Sequence, residues 1–158
     1  MIEISGGRRL SQEEVREVEQ DLGVSLPDDY REFVANHDGV RPPLNIFSIA
    51  DANESRVNEF IPLRRVRKEC AFIENLSDDR IPIAWAEGGN YVCLDISKKG
   101  GVFFWDHEEP DKDAKLADSF SHFIELPAPF DPSSVELKPG QVKSAWIDPD
   151  FLKSLDQK

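Results

Sequence analysis

A helix with both ends written into the sequence, running from Leu26-Pro27-Asp28-Asp29-Tyr30 to Asp38-Gly39-Val40, sets the frame into which the rest of the chain must pack. Pro27 suits a first helical turn, where its missing N–H would have no partner anyway, and Asp28, Asp29 and Glu32 put negative charge at the positive end of the helix dipole. Leu26, Tyr30, Phe33, Val34 and His37 recur at helical spacing and define a core face; Asp28, Arg31, Glu32 and Asn36 define a solvent face. Gly39 enters the left-handed conformation without a Cβ clash, so the helix is predicted to end near His37. Phe33 is therefore expected in the core and Arg31 on the surface.

The segments on either side follow from similar local chemistry. Ser11 and Glu14 form a capping box, flanked by Leu10 and Val15 as a hydrophobic staple, so a first helix starts there and stops at Gly23. Only Val24-Ser25 separates the two helices, which makes them close neighbours. A short strand is predicted over Leu44–Ile49, a polar surface loop over Ala50–Glu59, and a helix over Leu63–Leu76. Arg64, Arg65, Arg67 and Lys68 lie on the outer side of that helix, and read as a solvated face that offsets nearby carboxylates in preference to an anion site. Residues 81–107 then read as three antiparallel strands: Ile81–Ala86, Tyr91–Ile96 and Val102–His107, joined by Gly88-Gly89-Asn90 and Gly100-Gly101. Pro82 has no N–H to donate, so the first of these strands either sits at an edge or begins its pairing after that residue. Leu116–Leu126 returns to helical spacing, with Asp118 as N-cap and Pro127 as stop. From Pro127 the chain becomes a Pro-rich arm, with Asp148-Pro149-Asp150 capping one last short helix through Leu155.

A length of 158 residues fits one domain, and a 39% apolar share with ten Phe supports a folded core. The expected organisation is a single α+β domain over residues 1–126 with the arm 127–158 packed on it. Cys70 and Cys93 form no CxxC pair and sit inside apolar patterns, so they read as small buried hydrophobes in a reducing cytosol. With His37, His107 and His122 they make no zinc-ligand spacing, and no metal or other cofactor is expected. Met1–Ser5 carries no export signal, and no apolar run approaches the ~20 residues of a membrane span, so a cytoplasmic protein is expected. A net charge of −12 disfavours nucleic acid and anionic lipid, which need a cationic surface, and permits a basic partner. No G-x-S-x-G, H-E-x-x-H, P-loop or G-x-G-x-x-G is present, so no catalytic residue is assigned.

Leu26-Pro27-Asp28-Asp29-Tyr30 with Asp38-Gly39, then Ile81-Pro82-Ile83-Ala84, Gly88–Asp95 and Val102-Phe103-Phe104-Trp105-Asp106-His107-Glu108, resemble in order the SUKH superfamily, which includes the Smi/Knr regulators of fungal cell-wall synthesis. The resemblance spans roughly Leu10 to Leu126, and departs in having Asp38-Gly39-Val40 where the family often has Asn-Gly-Gly. It implies an α+β fold with a mixed, largely antiparallel sheet covered by helices. In bacteria it implies an immunity protein that binds and neutralises a polymorphic toxin. The alternative is an intracellular scaffold or regulatory module of the cell-wall kind.

The residues suit binding better than catalysis. Trp85 and Trp105 are candidate anchors for a protein partner, although each alone also reads as ordinary sheet packing. Asp106, Glu108, Glu109, Asp111 and Asp113 place five carboxylates against one Lys in eight residues, a loop that is either merely solvated or the contact for a basic toxin domain. Asp95, in mid-strand, reads as a hydrogen-bonded fold residue.

Overall fold

The computed structural model describes residues 4–43, 45–49, 53–97, 100–112 and 114–126; the arm expected over 127–158 lies outside them. Helix α1 (Gln12–Leu22) opens on the expected capping box, with Ser11 Oγ accepting from the Glu14 N–H and the Glu14 carboxylate accepting from the Ser11 N–H. Gly23 ends it at φ +69°. Helix α2 (Asp28–His37) follows, and Gly39 turns the chain at φ +69° where an added Cβ would press on Pro62 at 3.2 Å. Glu19 fastens the α1–α2 turn, accepting from the Leu26 N–H at 2.8 Å and from Arg31 at 2.6 Å. Arg31 is thus half-buried and shared between Glu19 and Asp28, rather than free on a solvent face.

The sheet is a six-stranded antiparallel meander: β1 (Ile46–Ile49), β2 (Asn53–Phe60), β3 (Arg80–Ala86), β4 (Tyr91–Asp95), β5 (Val102–Trp105) and β6 (Ala114–Ala117), each strand paired with the next. Chain order and spatial order coincide, as short hairpin links dictate. The sheet curls enough to bring β1 beside β6, so the two edges shelter one another.

Two of these strands replace other expectations. Most of the loop predicted over Ala50–Glu59 is β2, whose first half pairs with β1 (Phe47 opposite Ser55) and whose second half pairs with β3 (Val57 opposite Ala86). Ser55 and Val57 are the inward side chains there, and one Ser in place of an apolar residue hides the alternation. The helix predicted over Leu116–Leu126 is divided: its first residues belong to β6, with Ala117 opposite Val102, and only Phe120–Glu125 form α4. The otherwise open edge of β5 recruits the segment as a strand. The N-cap is Ser119, which accepts from the His122 N–H, while Asp118 pairs with Lys115, whose ammonium holds that carboxyl below the usual range.

The helix expected over Leu63–Leu76 is also shorter. A 3-10 turn (Leu63–Arg65) leads into α3 (Val66–Cys70), after which the chain turns, with Ile73 buried, Phe72 exposed and Asn75 at φ +57°. Its three arginines are tied to neighbouring carboxylates: Arg64 to Glu17, Arg67 to Asp21 and Arg65 to Glu69. Pro82 sits in an interior strand, and β2 pairs with β3 only over Ala84–Ala86, so on that side the pairing does begin after the proline.

Helices α2 and α4 cover the inner face of the sheet. Tyr30 meets Phe120 edge-on at 5.1 Å, Phe33 packs on Phe60 and Phe120 at 4.8 and 4.9 Å, and Phe47 meets Phe104 and Phe123. Asp29 adds a polar tie, accepting from both the N–H and the hydroxyl of Ser121 at the start of α4. Leu26, Tyr30 and Val34 are fully buried, whereas Phe33 and His37 are half-buried at the margin of the same core. The other face of the sheet carries the candidate site.

Candidate partner-binding surface

Strand alternation sends Trp85, Tyr91 and Trp105 to one face, and register aligns them: Trp85 lies opposite Tyr91, and Tyr91 opposite Trp105. The three form a straight row across β3, β4 and β5, the two Trp standing two strand spacings, about 10 Å, apart. All three are half-buried. Tyr91 meets Trp105 edge-on at 5.8 Å, the arrangement that aromatic quadrupoles favour.

One buried carboxylate organises most of this row. Glu69, on α3 and 4% exposed, accepts from Trp85 Nε1 at 3.0 Å and from the Tyr91 hydroxyl at 2.8 Å through the same oxygen, and its other oxygen faces Arg65 at 3.3 Å. The Arg65 guanidinium covers the Trp85 ring at 5.0 Å, a cation–π contact that closes the group. Desolvation, followed by the bond to Glu69, pushes the Tyr91 phenol up to about 12. Two of the three polar tips are therefore satisfied. The third is not: Trp105 Nε1 is enclosed with no acceptor among the described residues, which costs about 1–3 kcal/mol unless something supplies one.

The chain leaves β5 at Trp105 directly into the acidic loop. Asp106 uses its carboxylate on its own turn, accepting from the Glu108 N–H at 2.9 Å, so it shapes the loop. Asn90, from the β3–β4 turn, accepts from the His107 N–H and contacts the His107 ring at 2.7 Å, fastening the loop to the sheet. Glu108, Glu109 and Asp111 are exposed; Glu109 pairs with Lys112, and Asp111 accepts weakly from Asn75 at 3.5 Å. Asp113 lies outside the described residues. The structure thus brings Trp85, Trp105 and the acidic loop onto one continuous side of the molecule. Asp95 accepts from the Ser97 N–H, as a turn-forming fold residue does.

Glu69, Tyr91 and Arg65 were not singled out by the sequence reading. A signal existed for Glu69: three residues after Val66 and four before Ile73, it falls on the buried side of its helix, where a carboxylate requires donors. Among the described residues no group of three His, Cys, Asp or Glu is placed to hold a metal ion, and no helix is long and apolar enough to cross a membrane. Cys93 is buried and Cys70 half-buried, neither in a disulfide, and desolvation pushes the Cys70 thiol up, away from the reactive thiolate.

An antiparallel meander backed by helices, with a strand order identical to chain order and a third helix supporting an aromatic row, defines an α+β protein of the kind the motifs resemble. The SUKH_6 family model, SMI1-KNR4 cell-wall, matches residues 12–124, and the chain belongs to the SUKH superfamily. It is also 30% identical over 138 residues to the SPbeta prophage-derived uncharacterized protein YokK of Bacillus subtilis (strain 168), covering 71% of each chain.

Proposed function

We propose that this protein is a non-enzymatic immunity protein, which binds a polymorphic toxin domain in the cytoplasm and neutralises it by occupying its surface. The observation that carries the reading is the continuity of the Trp85–Tyr91–Trp105 row with a loop presenting Glu108, Glu109 and Asp111 to solvent. Aromatic side chains supply contact area at low entropic cost, and the carboxylates supply a field that attracts a basic domain. Family membership supports the reading, since the superfamily includes bacterial immunity proteins. The prophage origin in the relative's name suits a gene that travels with a toxin.

The proposed partner is a protein rather than nucleic acid or membrane, because a net charge of −12 disfavours binding to phosphates. Inhibition then requires one molecule per toxin. The test is co-expression of the protein with the toxin domain encoded beside its gene, comparing cell survival for the wild type and for Glu108→Gln/Glu109→Gln/Asp111→Asn at matched levels. Protection by the wild type that weakens in the triple variant supports the reading; no protection by the wild type removes it. The cell-wall description of the family favours a second reading, a regulatory module with a cellular partner. A housekeeping gene neighbourhood with no toxin gene would favour that one.

A further inference from the structure

The chain that joins α3 to β3 carries Phe72, the one aromatic side chain among the described residues that is mostly exposed, at 62%. Its position is fixed from both sides. Three residues earlier Glu69 is held by Trp85 and Tyr91, and three residues later Asn75, at φ +57°, lies 3.5 Å from Asp111. Three residues of chain reach no further than about 11 Å, so Phe72 stands between the aromatic row and the acidic loop. We infer that Phe72 is the apolar anchor of the toxin interface, and that it enters an apolar pocket of the toxin domain whose rim carries Lys or Arg side chains. The inference rests on the immunity reading and adds to it one anchor and the chemistry of the surface that receives it.

The exposure of Phe72 is imposed by the fold. Ile73 takes the inward position of the pair and is buried, and the Phe72 N–H donates to the Glu69 carbonyl at 3.0 Å, so a set backbone presents the ring. A single exposed apolar side chain is ordinary on a protein surface, and the weight therefore falls on what surrounds this one. Residues 71–79 contain no Lys or Arg, and Glu74, Asp78 and Asp79 are exposed among them. An apolar centre with a charged rim is the usual anatomy of a protein interface, and the sign of this rim selects the occupant. A second copy of the chain would press the same carboxylates against one another, whereas a basic domain brings opposite charge to the rim and apolar contact to the ring.

The arrangement divides the work between rate and lifetime. The carboxylates act at a distance and speed the encounter, and the ring is buried only in the docked complex, where it slows dissociation.

The test uses the intact protein and a catalytically inactivated form of the toxin domain encoded beside its gene. Phe72→Ala should weaken binding about tenfold or more through faster dissociation, with the association rate nearly unchanged, and Phe72→Leu should lose less. Both variants should keep the wild-type melting temperature, because the side chain is exposed. Glu74→Gln/Asp78→Asn should show the opposite pattern, a slower association with little change in dissociation. In the unsubstituted protein, hydroxyl radicals should oxidise Phe72 in the free state and spare it in the complex. Wild-type affinity in Phe72→Ala, or equal oxidation of Phe72 with and without the toxin domain, would overturn the anchor while leaving the immunity reading standing. Protection of Phe72 in the free protein would overturn it as well, in favour of a second copy if the protection grows with protein concentration and of residues 127–158 if it does not. Absence of any complex with the wild type would bring down the immunity reading itself, and the anchor with it.

Discussion

Glu69 takes donors from Trp85, Tyr91 and Arg65 with one carboxylate, so its two simplest substitutions separate acceptor from charge. Glu69→Ala strands an indole N–H and a phenol and should cost roughly 2–4 kcal/mol in urea unfolding, whereas Glu69→Gln, which keeps an acceptor, should cost less than half of that. Equal losses would show that the carboxylate does not organise the row. Tyr91 reports the same contact: its ionisation, pushed up to about 12, should move down in Glu69→Gln when followed by ultraviolet titration. Because the folded value lies above the unfolded one, this Tyr favours folding below about pH 10, and its contribution is lost as pH rises toward the folded value.

Asp38 has the same sign of shift in the acid range. Burial raises its carboxyl, outweighing the bond it accepts from the Leu63 N–H. The folded state then holds the Asp38 proton more tightly, so this group favours folding at acid pH and loses that contribution as pH rises through its folded value. Asp38→Asn, which keeps an acceptor for Leu63, should match or exceed the wild type at pH 7. Its advantage should shrink on acidification toward pH ~4, the ordinary Asp value. A variant less stable at pH 7 by as much as at pH 4 would contradict this.

Among the elements, α1, α2 and the three central strands were legible because their signals are local. The Ser11/Glu14 box, Gly23, Gly39 and the glycine-bearing turns fix the backbone wherever the chain goes. Strands β2 and β6 were not legible, because each exists by pairing with a neighbour: β2 carries Ser55 at a core position, and β6 is four residues completing the edge of β5. Hydrogen exchange distinguishes the two descriptions of 53–59. The Val57 amide, bonded to the carbonyl of Asn45 at 2.8 Å, should be protected, and exchange at loop rates would restore the loop.

Packing between α2 and α4 makes a further test. Phe33 touches both Phe60 and Phe120 yet stays half-buried, so Phe33→Ala should cost about 3 kcal/mol, the low end for deleting a packed Phe. Arg31→Ala should cost about 1 kcal/mol, more than a free surface side chain, because Arg31 shares Glu19 with the Leu26 N–H. Equal losses would remove the distinction between the two faces of α2.

At the scale of the whole molecule, α2 and α4 cover one side of a curled sheet, and the other side carries the aromatic row, supported by α3 through Glu69, and the acidic loop. Composition announced the charge, and Trp85, Trp105 and the loop were visible as candidates. Their alignment was not, because it depends on register across three strands, and the carboxylate joining Trp85 to Tyr91 comes from a helix about twenty residues away in the chain. On the proposed function, the field of the loop, screened beyond about 8 Å at physiological salt, acts on the encounter, and the aromatic row is the part proposed to hold the complex afterwards. The most direct measurement is therefore the association rate with the inactivated toxin domain, for the wild type and for Glu108→Gln/Glu109→Gln/Asp111→Asn, at low and high ionic strength. The account predicts a wild-type rate that falls as salt rises and a triple variant that associates slowly at low salt with little further dependence; identical rates for the two proteins at every salt concentration would contradict it.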